Sequence, residues 1–289
     1  MADLRKRLPA NVEGEFYVDS TCINCDTCRQ LAPSVFGETD DFSFVYAQPQ
    51  DDVETRNALR ALLACPTASI GAAGKSHAKE VVSDFPLALD GGVYYCGFNS
   101  PKSYGGNSYF IVHPDGNWMV DSPRYVEPLA RRLEALGGVR HIFLTHRDDV
   151  ADVDKYARRF GSRRIIHRHE LSSQPDAEQV IDGIEPVMLA PDFVAIPAPG
   201  HTRGHCVLLY RNRFLFTGDH LWWSRERRRL NAGRSVCWYS WPKQAASMAS
   251  LRNYSFEWVL PGHGGRVRQS PDKMRAQLDG LIAEMKAVA

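Results

Sequence analysis

In the first 70 residues the apolar positions fall in short clusters. Phe16-Tyr17-Val18 before Asp19 reads as a short strand. From Val53 to Ala64, Leu59, Leu62 and Leu63 fall on one helical face, and Pro66 stops the helix. Gly71-Ala72-Ala73-Gly74-Lys75-Ser76-His77 is small, polar and glycine-rich, which suits a connection. From Val93 the pattern changes to short apolar runs separated by turns. Strands are expected at Val93–Cys96, Ser108–His113, Trp118–Asp121, His141–Thr145 and Arg164–His167, and again at Phe193–Ile196, Cys206–Tyr210, Arg213–Thr217 and Trp258–Leu260. Pro114-Asp115-Gly116-Asn117 is turn chemistry joining two of them. Helices are expected at Val126–Leu136, Val150–Phe160, Gln244–Asn253 and Pro271–Ala287, the last with Ser270 as N-cap and Pro271 in the first turn. Hairpin-like strands followed by strands alternating with helices predict two sheets between helices. The chain divides into a module at 1–72, a linker at 73–79 and a domain at 80–289.

Four of the expected strands end in a metal-ligand type. They are Ile142-Phe143-Leu144-Thr145-His146, Pro199-Gly200-His201-Thr202, Thr217-Gly218-Asp219-His220 and Leu260-Pro261-Gly262-His263. A strand pins a ligand's backbone while the turn aims its side chain. Imidazole and carboxylate with an open position suit a hydrolytic metal ion.

The ordered set His146, His201, Asp219 and His263 resembles the metallo-β-lactamase superfamily from about Glu80 to Ala289. Its members include glyoxalase II-like thioester hydrolases, flavodiiron proteins and nuclease relatives. The resemblance implies an αββα sandwich, with His146 and His201 on a first metal, His263 on a second, and Asp219 bridging. The superfamily's H-x-H-x-D-H signature is altered here to His146-Arg147-Asp148-Asp149-Val150-Ala151. Asp148 takes the second histidine's place and is a competent ligand for zinc, iron or manganese. Asp149 or Asp152 can supply the second metal; the bland alternatives are an N-cap and a surface charge. A rewired dinuclear site, a mononuclear site and a metal-free remnant all stay open, and added carboxylates tilt the choice from zinc toward iron or manganese.

Cys22-Ile23-Asn24-Cys25-Asp26-Thr27-Cys28 and a remote Cys65-Pro66 place three thiols in a run with a fourth elsewhere. Zinc sites usually pair cysteines in two knuckles, and disulfides do not suit a reducing compartment. The C-x2-C-x2-C run with its C-P partner resembles the bacterial single-cluster ferredoxins over Val18 to Ile70. That implies a 4Fe–4S cluster on Cys22, Cys25, Cys28 and Cys65. Cys96, Cys206 and Cys237 stand in apolar or aromatic settings and read as packed thiols.

Composition narrows the partners. With 44% hydrophobic and 24% charged residues, the 289-residue chain is of globular type, and a net charge of +1 gives no reason to expect nucleic acid or a membrane. No apolar run nears the ~20 residues of a membrane span, and no apolar segment follows Met1–Arg7, so a cytoplasmic location is expected. Leu221–Leu230, with two tryptophans and a run of arginines, and Cys237-Trp238-Tyr239-Ser240-Trp241 either line a pocket mouth for a small anionic substrate or form a packed aromatic cluster under a solvated turn. His220 is a candidate for a position behind the ligands, and His205 is either that, a substrate group or a hydrogen-bonder at a strand start.

The expected fold class is α+β: a ferredoxin-like iron–sulfur domain, then the αββα sandwich. The expected function is a metal-dependent hydrolase of a thioester or ester acting through metal-bound hydroxide, with Asp219, His201 and His263 catalytic and one or two zinc, iron or manganese ions. The alternative is an oxidoreductase or electron-transfer protein passing electrons between the cluster and an iron centre, with a redox partner protein. A third reading is an iron–sulfur carrier whose second domain has lost its metals.

Overall fold

The computed structural model describes residues 2–39, 41–73 and 77–287. The chain forms two compact units, Met1–Arg140 with Ala151–Ser162, and His141–Val150 with Arg163–Ala289.

The first unit begins with β1 (Phe16–Val18), α1 (Thr27–Leu31), a hairpin of β2 (Phe36–Glu38) and β3 (Ser43–Val45), α2 (Asp52–Ala64) and β4 (Ile70–Ala72). The Asp51 side chain accepts the Glu54 N–H at 2.8 Å and caps α2, and Cys65 closes it. Leu59 is buried as expected, but Leu62 and Leu63 are only partly so; Ala58, Ala61 and Ala64 have no exposure. Small side chains on that face let α2 come close to its neighbours in a core of Phe16, Val35, Phe36 and Val45. Gly71 and Ala72 are not part of a loose connection. They pair antiparallel with β1, and a Cβ on Gly71 would stand 2.3 Å from the Tyr17 ring opposite it. Gly74, Lys75 and Ser76 of the expected linker lie outside the described residues. His77–Asp84 is a 3-10 run.

Next come β5 (Leu87–Asp90), β6 (Val93–Tyr95), β7 (Tyr109–Ile111) and β8 (Trp118–Val120), paired antiparallel in succession. The turn before β8 forms as expected, with Gly116 at φ +112 and Asn117 Oδ1 accepting the His113 N–H. Two helices complete the unit, α3 (Glu127–Ala135) and α4 (Val153–Phe160). The helix expected from Val150 therefore starts three residues late, because Arg147–Asp149 winds as a 3-10 turn.

In the second unit β9 (His141–Phe143), β10 (Arg163–His167) and β11 (Gln179–Ile181) run parallel. A six-stranded sheet follows in the order β12 (Val187–Ala190), β13 (Phe193–Pro197), β14 (Cys206–Tyr210), β15 (Phe214–Gly218), β18 (Trp258–Pro261) and β19 (Val267–Arg268). Every position of β14 and β15 is buried, so these strands read as unbroken apolar runs. α5 (Trp241–Ser250) and α6 (Pro271–Ala287) place Met248, Leu278 and Ile282 in one core with Val207, Leu215 and Val259. A further hairpin, β16 (Trp222–Ser224) with β17 (Arg229–Asn231), adds Leu230 to that core. The one parallel pair of the large sheet is β15 with β18. The turns after these two strands, carrying Asp219 and His263, therefore leave the same edge.

Candidate functional site

His146 follows β9, where Thr145 C=O accepts the Cys206 N–H at 2.8 Å and Leu144 N–H donates to Ile165. Thr145 Oγ1 lies 2.9 Å from His146 Nδ1, which leaves Nε2 to face inward. His201 sits in the turn between β13 and β14, and its carbonyl accepts the N–H groups of Trp238 and Tyr239. Gly200 is required there, since a Cβ would fall 2.3 Å from Gln244 Cβ. Asp219 follows Gly218, whose φ of +47 and crowding by His205 and Thr145 exclude a side chain. His263 follows Gly262, where a Cβ would stand 2.6 Å from Asp149 Oδ2 and 2.8 Å from Asp219 Oδ1.

Five ligand-type side chains chosen from sequence meet at this edge. His146 Nε2 is 3.8 Å from Asp148 Oδ2 and 3.7 Å from Asp219 Oδ2; His201 Nε2 is 3.6 Å from each of the same two oxygens. Both imidazoles are almost completely buried, and neither Nε2 has a hydrogen-bond partner among the described residues. Buried polar nitrogens left this way are costly. Donors on a tetrahedral ion with ordinary bond lengths stand about 3.3–3.6 Å apart, close to the separations here. The residues fit a divalent cation. His263 Nδ1 lies 2.7 Å from Asp219 Oδ1, with its side chain 27% exposed.

Asp149 is buried, not a solvent-facing cap. One of its carboxylate oxygens, a His146 nitrogen and an Asp219 oxygen all lie within 4.8 Å of one another, as do donor atoms of His146, Asp148 and His201. The second aspartate raised for this role, Asp152, is held elsewhere: it accepts from Lys102 Nζ at 2.8 Å and the Tyr125 N–H at 2.9 Å in the first unit. It is a buried carboxylate paired with the exposed Lys102, and it neither faces the other donors nor is a surface charge.

Burial pushes His146 down to about 4, so the imidazole is neutral and able to ligate at neutral pH. Burial lowers His220 to about 3 and takes His205 well below the ordinary value. Burial acts to raise Asp219, but His263, His146 and His201 around it hold the carboxylate well below the usual range. Asp148 is held low chiefly by His201, against its own burial. His205 Nε2 accepts the Asp219 N–H at 3.3 Å and its ring stacks on His220 at 5.5 Å, so both stand directly behind the ligands.

Glu170 was not legible in the sequence. It is completely buried; Oε1 accepts the Gly204 N–H at 2.6 Å and Oε2 the Arg147 N–H at 3.3 Å, which ties the His201 turn to the His146 turn. Nothing in Arg168–Ser173 marks it out, because its role comes from two backbone amides distant in sequence. The tryptophans divide between the two readings offered for them. Trp222 and Trp223 pack on Gly264 and Gly265 beside His263, and Trp241 is buried. Trp238 is 63% exposed with its ring 6.1 Å from His201, and Arg225, Arg227 and Arg228 lie on an exposed turn.

In the first unit Cys22, Cys25, Cys28 and Cys65 line one cavity with Thr27, Ser43 and Ser69. None of the four is in a disulfide. Asn24 and Asp26 adopt φ of +55 and +68 between them, and the Asn24 N–H points at Cys22 Sγ at 3.4 Å; the Ser69 N–H reaches Cys65 Sγ at 3.3 Å. Arg29 bonds Asn24, Asp26 and Ser43 and so holds the loop on the β2–β3 hairpin. Burial raises Cys25 to about 11 and Cys28 higher still, which disfavours bare thiolates and suits sulfurs that are neutralised by iron. Cys96 and Cys206 are buried and Cys237 is packed against the core, as expected of thiols outside the site.

Residues 18–72 match the family model described as the 4Fe-4S single cluster domain of Ferredoxin I. The lactamase-like protein aptB of Emericella nidulans is 28% identical over 184 residues, 59% of this chain. The match spans 55% of that relative, so this chain accounts for about half its length. The DIM-1 metallo-β-lactamase superposes on 70% of this chain and 96% of its own, with a TM-score of 0.53 and 14% identity. The metallo-β-lactamase FIM-1 from Pseudomonas aeruginosa, solved in its mono-zinc form, covers 68% of this chain and 93% of its own, with a TM-score of 0.52 and 17% identity. The N-terminal part is a 4Fe–4S ferredoxin domain, and the rest of the chain has the metallo-β-lactamase fold.

Proposed function

We propose that this metallo-β-lactamase-fold protein with a 4Fe–4S ferredoxin domain is a metal-dependent hydrolase of small thioesters or esters. The observation that carries the reading is the convergence of two buried, unbonded imidazole nitrogens on the carboxylates of Asp148 and Asp219. A divalent ion held there would supply Lewis-acid polarisation of a carbonyl and acidify a water. His146, Asp148 and His201 would hold the first ion, Asp149 and His263 the second, and Asp219 would face both. Thr145 fixes the His146 ring, and Glu170 keeps the two histidine turns in register. The half-exposed Asp148 leaves the site open on one side, where Trp238 gives a substrate an apolar face. The arginine turn at 225–228 favours an anionic substrate by long-range attraction. We place the protein in the cytoplasm, where its seven cysteines stay reduced; no described helix is long and apolar enough to cross a membrane.

The test is metal content together with turnover. Anaerobically purified protein should carry iron and labile sulfide at four each, plus one or two further metal ions per chain. It should cleave at least one member of a thioester, ester and phosphodiester panel. Full metal loading with no cleavage across the panel would overturn the reading.

A second reading is supported by the donor set itself. Three carboxylates (Asp148, Asp149, Asp219) beside three imidazoles form a harder set than histidine-rich zinc sites use, and they suit iron or manganese. With iron in both sites the chain would be an oxidoreductase fed through its cluster by a redox partner protein. Five or six irons on four sulfides, with the cluster reoxidised by an acceptor after anaerobic reduction, would favour it.

A further inference from the structure

The residues that line the cluster cavity all lie within the ferredoxin domain, but two of them, Cys25 and Thr27, are packed from outside it. Asn99, with no exposed surface, belongs to the same compact unit but lies well beyond residues 18–72. Its Nδ2 is 2.6 Å from the Gly105 carbonyl and 3.0 Å from Thr27 Oγ1, while its Oδ1 receives the Tyr95 hydroxyl at 2.6 Å. A carbonyl only accepts, so the atom facing Gly105 is the amide nitrogen and the orientation of the side chain is fixed. The Asn99 N–H also donates to the Ala64 carbonyl, one residue before Cys65. Thr27 Oγ1 in turn lies 3.4 Å from Cys25 Sγ. Gly105, at φ +86, is pressed onto the same cysteine: a Cβ there would stand 2.7 Å from Cys25 Cβ and 3.0 Å from its sulfur.

We infer that Asn99 is a positioning residue for the iron–sulfur cluster. By donating to Thr27 Oγ1 it turns the Thr27 hydroxyl proton toward the Cys25 sulfur, so the cluster's potential is set partly from outside the ferredoxin domain. A cluster-bound thiolate can only accept, and so the hydroxyl donates to it. Donors to ligand sulfurs stabilise the more negative, reduced cluster. Without Asn99 the Gly105 carbonyl, 3.5 Å from Thr27 Oγ1, loses its donor and takes the hydroxyl proton from the sulfur. Tyr95 fixes the amide from behind. This inference needs only the cluster, and stands whether the second unit hydrolyses or not.

The experiment is a reductive titration of the full-length, cluster-loaded protein under anaerobic conditions, read by the paramagnetic signal of the reduced cluster. Thr27→Ala should raise the oxidised-to-reduced ratio at a fixed solution potential about tenfold, a fall of ~59 mV for a one-electron couple. Thr27→Ser, which keeps the hydroxyl, should stay within about twofold of the unaltered protein. Asn99→Ala should shift the ratio in the same direction as Thr27→Ala. The double variant should shift no further than Thr27→Ala alone, since both changes remove one bond. Additive shifts in the double variant, or equal potentials for Thr27→Ala and Thr27→Ser, would overturn the inference. If Asn99→Ala fails to hold the cluster, Asn99→Leu, of nearly the same size but without the Nδ2 donor, replaces it, and a potential equal to that of the unaltered protein would overturn the inference.

Discussion

The two sites of this chain are built in opposite ways. The sulfur site draws three of its ligands from one seven-residue run, Cys22–Cys28, and a fourth from the end of α2. Its geometry is local, made by two left-handed residues and an arginine that braces the loop. The imidazole–carboxylate site takes His146, Asp148 and Asp149 from one short stretch, but His201, Asp219 and His263 stand at the ends of separate strands, and only sheet register brings these together with the rest. A local site tolerates change in distant strands, whereas a site built on strand ends fails with any one of them. The two should therefore be separable by mutation.

Asp219→Ala should produce the largest effect. It removes the carboxylate that would face both proposed ions, and the proposed hydrolysis should fall by roughly 10³ or more in kcat/KM, with the second-unit metal lost and four sulfides retained. Cys28→Ala should do the reverse, losing sulfide while the second-unit metal stays. Loss of both cofactors in either variant would mean that the sites are not independent, and elemental analysis beside a sulfide assay reads this directly.

Gly262→Ala sharpens the comparison within one site. The new methyl would meet Asp149 Oδ2 and Asp219 Oδ1, so metal content of the second unit should drop by one ion while the ion on His146, Asp148 and His201 remains. Unchanged stoichiometry would remove Asp149 from the ligand set. Glu170→Ala acts one layer further out. Losing the acceptor for Gly204 and Arg147 N–H should weaken metal affinity by about 10–100-fold without changing stoichiometry at saturation; competition with a chelator measures it.

Acid acts on the same region. His146 at about 4 and His220 at about 3 lie below the ordinary 6.5, so below pH 6.5 the unfolded chain takes up protons that the folded chain refuses. Stability of the metal-free protein should fall as pH drops from 6.5 toward 4, by about 1.4 kcal/mol per pH unit for each of the two imidazoles. Urea midpoints across that window test it, and a flat profile would mean that these rings are not buried and neutral. Smallest of all, Arg168→Ala breaks the exposed pair with Asp182 and should leave the urea midpoint unchanged.

The sequence by itself determined the ligand types and most of the elements that carry them. Apolar runs ending in Thr-His, Gly-His or Gly-Asp have local causes, as does a cysteine run with two turn residues inside it. Expected strands and helices accordingly lie within three residues of their positions, with the start of α4 and both ends of α5 furthest off. Tertiary structure decided between the two further carboxylates. Asp148 stands where the altered signature puts a ligand, but Asp149 and Asp152 look alike in sequence, and it is the 3-10 turn that presents Asp149 to the site and the bond from Lys102 that retains Asp152 elsewhere. It also decided Glu170 and Asn99, whose partners are main-chain groups or buried side chains of other segments. A turn's shape is encoded by its own residues, but a buried polar group's partner is encoded by whatever folding brings beside it.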